Sequence, residues 1–169
     1  NRIAYFNELG LTYNGIPKSG NSNILQIIYF ILREQENDTG SIFHSQKEFY
    51  VPAYMRKTAF FSKLKFSKND FNNILNSYKF VFVRNPYTRV VSMFRDKVLT
   101  NTIVHKKIEH LSDDKNGFKK FVDFLNNGGI NFDKHFMSQK SQLFFFSKEF
   151  DFIGKLENFY DDFNKVLND

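Results

Sequence analysis

The chain has 169 residues and a net charge of +6, an excess that suits an anionic ligand but also an ordinary solvated basic surface. It has no cysteine, so disulfides and thiolate metal sites are excluded and a reducing compartment is allowed. Its 41% hydrophobic content, with 23 Phe, is enough for a sizeable core, yet no apolar run approaches the roughly 20 residues that cross a bilayer.

In chain order, residues 11–16 read as a short apolar strand. They run into Gly15-Ile16-Pro17-Lys18-Ser19-Gly20-Asn21-Ser22, a glycine-bounded loop with a single lysine. The Gly15-x-x-x-x-Gly20 spacing is that of a phosphate-cradling loop. A nucleoside-triphosphate loop would place Lys-Ser/Thr after the second glycine, whereas here Asn21-Ser22 follows and the lysine sits inside the loop at Lys18. Asn21 caps a helix running to about residue 36, with Ile24, Leu25, Ile28, Tyr29, Ile31 and Leu32 at helical spacing. Residues 37–40 form a turn, and 41–66 are irregular and basic. A helix over 68–77 turns Phe71, Ile74 and Leu75 inward.

Lys79-Phe80-Val81-Phe82-Val83 is the clearest strand, a continuous run suited to burial on both faces of a parallel sheet. Arg84-Asn85-Pro86 ends it, and Pro86 suits the first turn of a helix to about residue 99 that buries Val90, Val91, Phe94 and Val98. A helix over 118–126 closes at Gly128-Gly129, and a third strand spans 150–153. A last helix starts near residue 158, with Phe159, Phe163 and Val166 in its stripe. Strands alternating with helices predict a single α/β domain over 1–169, a P-loop-like three-layer fold with a mainly parallel central sheet flanked by helices. Ligands of such sheets bind beyond the carboxyl ends of the strands, where the Lys18 loop and Arg84 both fall.

The chemistry of these positions is that of anion binding. A lysine among backbone donors neutralises a phosphate or a leaving oxygen. Ser19, Asn21, Ser22 and Asn23 add donors at a helix N-terminus, whose dipole favours negative charge, and also serve as helix caps. The planar fork of Arg84 fits a phosphate. Ser92, eight residues on, meets the same anion only if the strand-to-helix turn folds back.

These segments resemble the carbohydrate sulfotransferases. Ile16-Pro17-Lys18-Ser19-Gly20-Asn21-Ser22 is similar to their 5′-phosphosulfate loop. Val83-Arg84-Asn85-Pro86-Tyr87-Thr88-Arg89-Val90-Val91-Ser92-Met93-Phe94-Arg95-Asp96-Lys97 is similar to their 3′-phosphate strand and helix, and Asp151-Phe152-Ile153-Gly154-Lys155-Leu156-Glu157-Asn158 to a third segment. The likeness covers most of residues 11–166 and is nearest the branch of the chondroitin 4-O- and HNK-1 sulfotransferases. It implies a donor, 3′-phosphoadenosine 5′-phosphosulfate, a product, adenosine 3′,5′-bisphosphate, and transfer of the sulfuryl group to a hydroxyl of a carbohydrate acceptor, a surface or capsular glycan. Lys18 would hold the 5′-phosphosulfate, the loop from Ser19 through Gly20 to Asn23 the 5′-phosphate, and Arg84 with Ser92 the 3′-phosphate. No metal is expected. Relatives carry cysteines after the position of His135 and a further C-terminal segment, neither of which is seen in this chain. The location expected is cytoplasmic for a bacterial protein, the Golgi lumen being the alternative.

The general base is to be sought at His44, on the connection leaving the Lys18 helix, or at His135, in Asp133-Lys134-His135-Phe136, with Glu48, Asp96 and Glu157 behind them. Of the two, His44 is favoured. Lys106, Lys107, Lys119, Lys120, Lys134 and Lys140 suit a solvated face better than a groove for an anionic saccharide. The alternatives are a P-loop kinase or NTPase, which the missing Gly-Lys-Ser/Thr disfavours, and a non-catalytic nucleotide- or polyanion-binding module. Nucleic acid is not an expected partner, since no RNA motif or recognition helix is evident.

Overall fold

A computed structural model describes residues 2–35, 68–100, 108, 111 and 116–168. Its centre is a four-stranded mixed sheet in the order β1-β2-β3-β4. β1 (Arg2–Phe6) runs antiparallel to β2 (Leu11–Gly15), while β2 with β3 (Tyr78–Val83) and β3 with β4 (Phe152–Lys155) are parallel. The sequence reading began at residue 11 and missed β1, whose Ile3, Ala4 and Phe6 are buried against the sheet. The strand expected over 150–153 lies two residues later.

β3 has a neighbour on each side, and Phe80, Val81 and Phe82 are completely buried, as its continuous apolar run requires. One face of the sheet carries Tyr13, Phe80 and Phe82. These pack with Ile24, Leu25, Ile28 and Leu32 of α1 (Asn21–Gln35) and with Phe163 and Val166 of α5 (Phe159–Asn168). Tyr13 stacks on Phe80 at 5.1 Å between ring centroids. The alternate residues of β2 are polar and also fully buried. Thr12 shares a hydrogen bond with Ser77. Asn14 donates to the Gln142 carbonyl at 3.3 Å and accepts from the Phe144 N–H at 2.7 Å. That second face is thereby tied to the segment after Phe136.

α2 (Lys68–Asn76) turns only one of its three expected apolar residues inward. Ile74 is buried, but Phe71 and Leu75 are about half exposed, at 48% and 46%. α3 (Pro86–Phe94) packs Val90 and Phe94 of its predicted face against the core but leaves Val91 exposed, and it also buries Arg89 and Met93, one helical turn apart. It continues as a wider π-helical turn over Arg95–Leu99, which rotates the chain so that Val98 reaches the interior. Met93 and Val98 join Ile108, Leu111, Phe121 of α4 (Gly117–Asn126) and Phe136 in a second apolar cluster. Among the described residues no helix is long and apolar enough to cross a membrane.

Candidate functional site

The Lys18 loop leaves the carboxyl end of β2 and closes directly onto α1. Lys18 has φ 69°, the left-handed region that costs a side-chain-bearing residue about 1–2 kcal/mol. Gly20 has φ 76°, and a Cβ there would stand 2.5 Å from Leu156 Cδ1, so the position suits glycine on both counts. The turn is tied by Ser19 N–H to the Ile16 carbonyl at 3.2 Å, and the Ile24 N–H to the Gly20 carbonyl at 3.0 Å starts the helix. Asn21, Ser22 and Asn23 form the first turn of α1. The N–H groups of a first turn have no partner within the helix, which makes that end an anion site.

Arg84 leaves β3 next door. Its Nε donates to Thr88 Oγ1 at 3.1 Å and its guanidinium to the Lys18 carbonyl at 3.3 Å. Asn85 caps α3 by accepting from Tyr87 N–H at 2.9 Å and Thr88 N–H at 3.4 Å, and its own N–H donates to Glu157 at 2.9 Å. The turn does fold back. Lys18, Arg84, Thr88, Val91, Ser92, Arg95, Asp96 and Thr100 line one cleft of about 560 Å³. Arg84 and Ser92 therefore share a wall with Lys18. Asp96, from the π-helical turn, pairs with Lys18 Nζ at 3.0 Å and with Lys97 Nζ at 3.1 Å. Partial burial pushes its carboxyl up, but the hydrogen bonds and charges of the two lysines outweigh that and hold it below the usual carboxylate range.

Two side chains that sequence reading did not single out hold this cleft together. Arg89 is 4% exposed and donates to three backbone carbonyls, of Pro17 at 3.1 Å, Met137 at 3.0 Å and His135 at 3.2 Å. Burial, with help from the charge of Arg84, lowers its pKa to about 10, so it stays a cation at neutral pH. Gln139 accepts from Ser19 Oγ and from Arg84 N–H, and donates to the Arg84 carbonyl. The Ser19 hydroxyl, fully buried, is thus turned to Gln139. Arg89 stood in the sequence only as one residue of the 83–97 segment, and nothing marked Gln139.

His135 does not line the cleft. Its Nδ1 is in contact with an Asp133 carboxylate oxygen, and its N–H donates to the same oxygen at 2.7 Å. Burial lowers its pKa, outweighing the raising effect of Asp133, with the charges of Lys97 and Lys134 adding to burial. His44, Glu48, Lys106 and Lys107 lie outside the described residues. Lys119, Lys120, Lys134 and Lys140 are exposed. Glu157 braces the Asn85 turn. Among the described residues no cluster of His, Cys, Asp and Glu is placed to hold a metal ion.

A sequence model of the sulfotransferase family matches residues 1–169. The comparison with curated proteins found no match, and neither did that with solved structures. The chain belongs to the sulfotransferase family, and its reaction class is transfer of a sulfuryl group to an acceptor.

Proposed function

We propose that this sulfotransferase uses 3′-phosphoadenosine 5′-phosphosulfate as donor and a carbohydrate hydroxyl as acceptor, on a three-layer, P-loop-like core. The observation that carries the donor is the shared cleft. A nucleotide with phosphates on both sides of its ribose needs two anion subsites, and the Lys18 loop and the Arg84–Ser92 wall supply two. The volume, about 560 Å³, is within the range of nucleotide-sized pockets. The strand next to the loop ends in Val83-Arg84, a cation where a metal-dependent NTPase would need a carboxylate, which favours this reading over the kinase alternative. The acceptor class rests on the resemblance of the three motifs to carbohydrate sulfotransferases.

The donor supplies an activated sulfuryl group whose departure leaves charge on the bridging oxygen. Lys18 neutralises that charge, and the first turn of α1 holds the 5′-phosphate through Gly20, Asn21, Ser22 and Asn23. Arg84 and Ser92 bind the 3′-phosphate. Asp96 keeps Lys18 directed into the cleft, and Lys97 retains the carboxylate when Lys18 turns to the donor. His44 is proposed to take the proton of the acceptor hydroxyl, with His135 on the acceptor side. Asp133 against Nδ1 leaves the far nitrogen of His135 available to a partner. No metal is proposed, because this donor has no β- and γ-phosphates to bridge.

Calorimetric titration with adenosine 3′,5′-bisphosphate and ADP tests the donor. The bisphosphate is expected to bind more tightly. Arg84→Ala should erase most of the difference, since a hydrogen bond to a charged group is worth about 1.5–3 kcal/mol. Equal affinity of the two nucleotides for the intact protein overturns the reading.

A further inference from the structure

One side chain joins the two anion subsites. Gln139 Oε1 accepts from Ser19 Oγ at 2.9 Å and from Arg84 N–H at 2.8 Å, and Gln139 Nε2 donates to the Arg84 carbonyl at 2.7 Å. Ser19 belongs to the loop that follows β2, and Arg84 directly follows β3. These strands are parallel neighbours whose register is last set at Asn14 opposite Val81. Past that pair no backbone ladder fixes how far apart the two loops stand. Gln139 spans that gap, beside the links from the Arg84 guanidinium to the Lys18 carbonyl at 3.3 Å and from Arg89 Nε of α3 to the Pro17 carbonyl at 3.1 Å.

Gln139 is itself anchored. Two residues before it, the Met137 carbonyl accepts from Arg89 and from Gln142 Nε2, both at 3.0 Å. Three residues after it, the Gln142 carbonyl accepts from Asn14 Nδ2, and Asn14 Oδ1 in turn receives the Phe144 N–H. The segment is a strut pinned to α3 on one side and to β2 on the other. An amide is suited to its end. It accepts and donates at once, so it grips both the N–H and the carbonyl of Arg84 and still reaches the Ser19 hydroxyl.

We propose that Gln139 sets the spacing of the two anion subsites, and that it is the positioning residue by which the cleft selects a nucleotide phosphorylated on both the 5′ and the 3′ side of one ribose. The inference rests on the donor reading given above. A two-pronged ligand gains from both prongs only when their separation is fixed beforehand. A ligand with one phosphate uses one subsite and is indifferent to the separation. Gln139 need not touch the nucleotide to govern this choice.

The test is titration of the full chain, wild type, Gln139→Met and Gln139→Asn, with adenosine 3′,5′-bisphosphate, 5′-AMP and 3′-AMP. Methionine keeps the length and volume while removing all three hydrogen bonds. Asparagine keeps the amide but is one methylene short of spanning both loops. The wild type should bind the bisphosphate about 100-fold or more tightly than either monophosphate, the low end of what linked binding groups deliver. In Gln139→Met the bisphosphate should weaken by about tenfold or more while each monophosphate changes by less than about threefold. If that variant does not fold, Gln139→Asn carries the same comparison. Parallel loss for all three ligands marks a merely structural role and overturns the proposal, as does a bisphosphate advantage that survives in both variants. A wild type with no bisphosphate advantage instead overturns the donor reading beneath it.

Discussion

Lys18 is held in a backbone conformation that a side chain pays for, and its amine is held by a carboxylate that an anionic ligand must displace. Both features aim the charge into the cleft before a ligand arrives, which is how a preorganised site stabilises charge that develops later. Lys18→Ala is therefore expected to lower kcat by about 100-fold or more, and bisphosphate affinity far less. Transfer at a near wild-type rate, measured with labelled donor, would reject the role. His135 makes a prediction of the opposite kind, on stability. Burial holds its folded pKa below the ordinary 6.5, so the unfolded chain binds its proton first on acidification. The stability associated with a neutral His135 is fully present above 6.5 and is lost as pH falls from there through the folded value. Urea midpoints across that window should decline, and His135→Asn should flatten the decline. An unchanged slope in the variant would dismiss His135 as its source. Asp96, held low by two lysines, loses its contribution only in a more acidic window, so the two titrations separate. Lys18 and Arg84 stood out in the sequence because each falls in a segment with a local signature, whereas Ser92 was singled out only through the resemblance. Asp96 was visible only as one more carboxylate, since its partner Lys18 lies in a distant segment of the chain.

At the scale of elements, the sequence marked what one segment decides alone. β3 announces itself because four consecutive apolar or aromatic positions, residues 80–83, suit a strand enclosed on both sides, and Phe80, Val81 and Phe82 are in fact fully buried. α1 announces itself through its period, and Ile24, Leu25, Ile28 and Leu32 all reach the core. α3 misled because its buried stripe contains a cation. An apolar stripe drawn through Val90, Val91 and Phe94 places Arg89 in solvent, whereas three carbonyls converging on Arg89 make its burial tolerable. Those carbonyls belong to the Lys18 loop and to the strut near His135, so no window along α3 contains the reason. The same holds for Gln139, whose partners lie 120 and 55 residues away. β1 was missed for a different cause: among the described residues it is an edge strand paired only with β2, and five residues ending at a turn give a weak periodic signal.

Among the described residues the molecule has two apolar clusters, and the cleft lies where elements of both meet. The Lys18 loop ends at α1, which packs on the sheet in the first cluster, whereas Arg84 and Ser92 stand at the start and on the length of α3, whose Met93 belongs to the second. Among the described residues the polar links between the two sides include Arg89 to the Pro17 carbonyl and Arg84 to the Lys18 carbonyl. A ligand with an anionic group on each side adds a further link, so its binding should couple the clusters as well as stabilise the fold. At a concentration of about 100 times Kd, binding to the native state alone contributes about 2.7 kcal/mol. For a chain of this size that corresponds to a rise in Tm of roughly 5–10 °C. The location of the effect distinguishes a bridging ligand from one seated on a single loop. Adenosine 3′,5′-bisphosphate should slow amide exchange at the start of α1 and along α3 together. At matched saturation, 5′-AMP should protect α1 and leave α3 close to its free rate. Protection by the bisphosphate confined to α1 would mean that the Arg84–Ser92 wall takes no part in holding it, because a contact that orders α3 must appear in the exchange of α3.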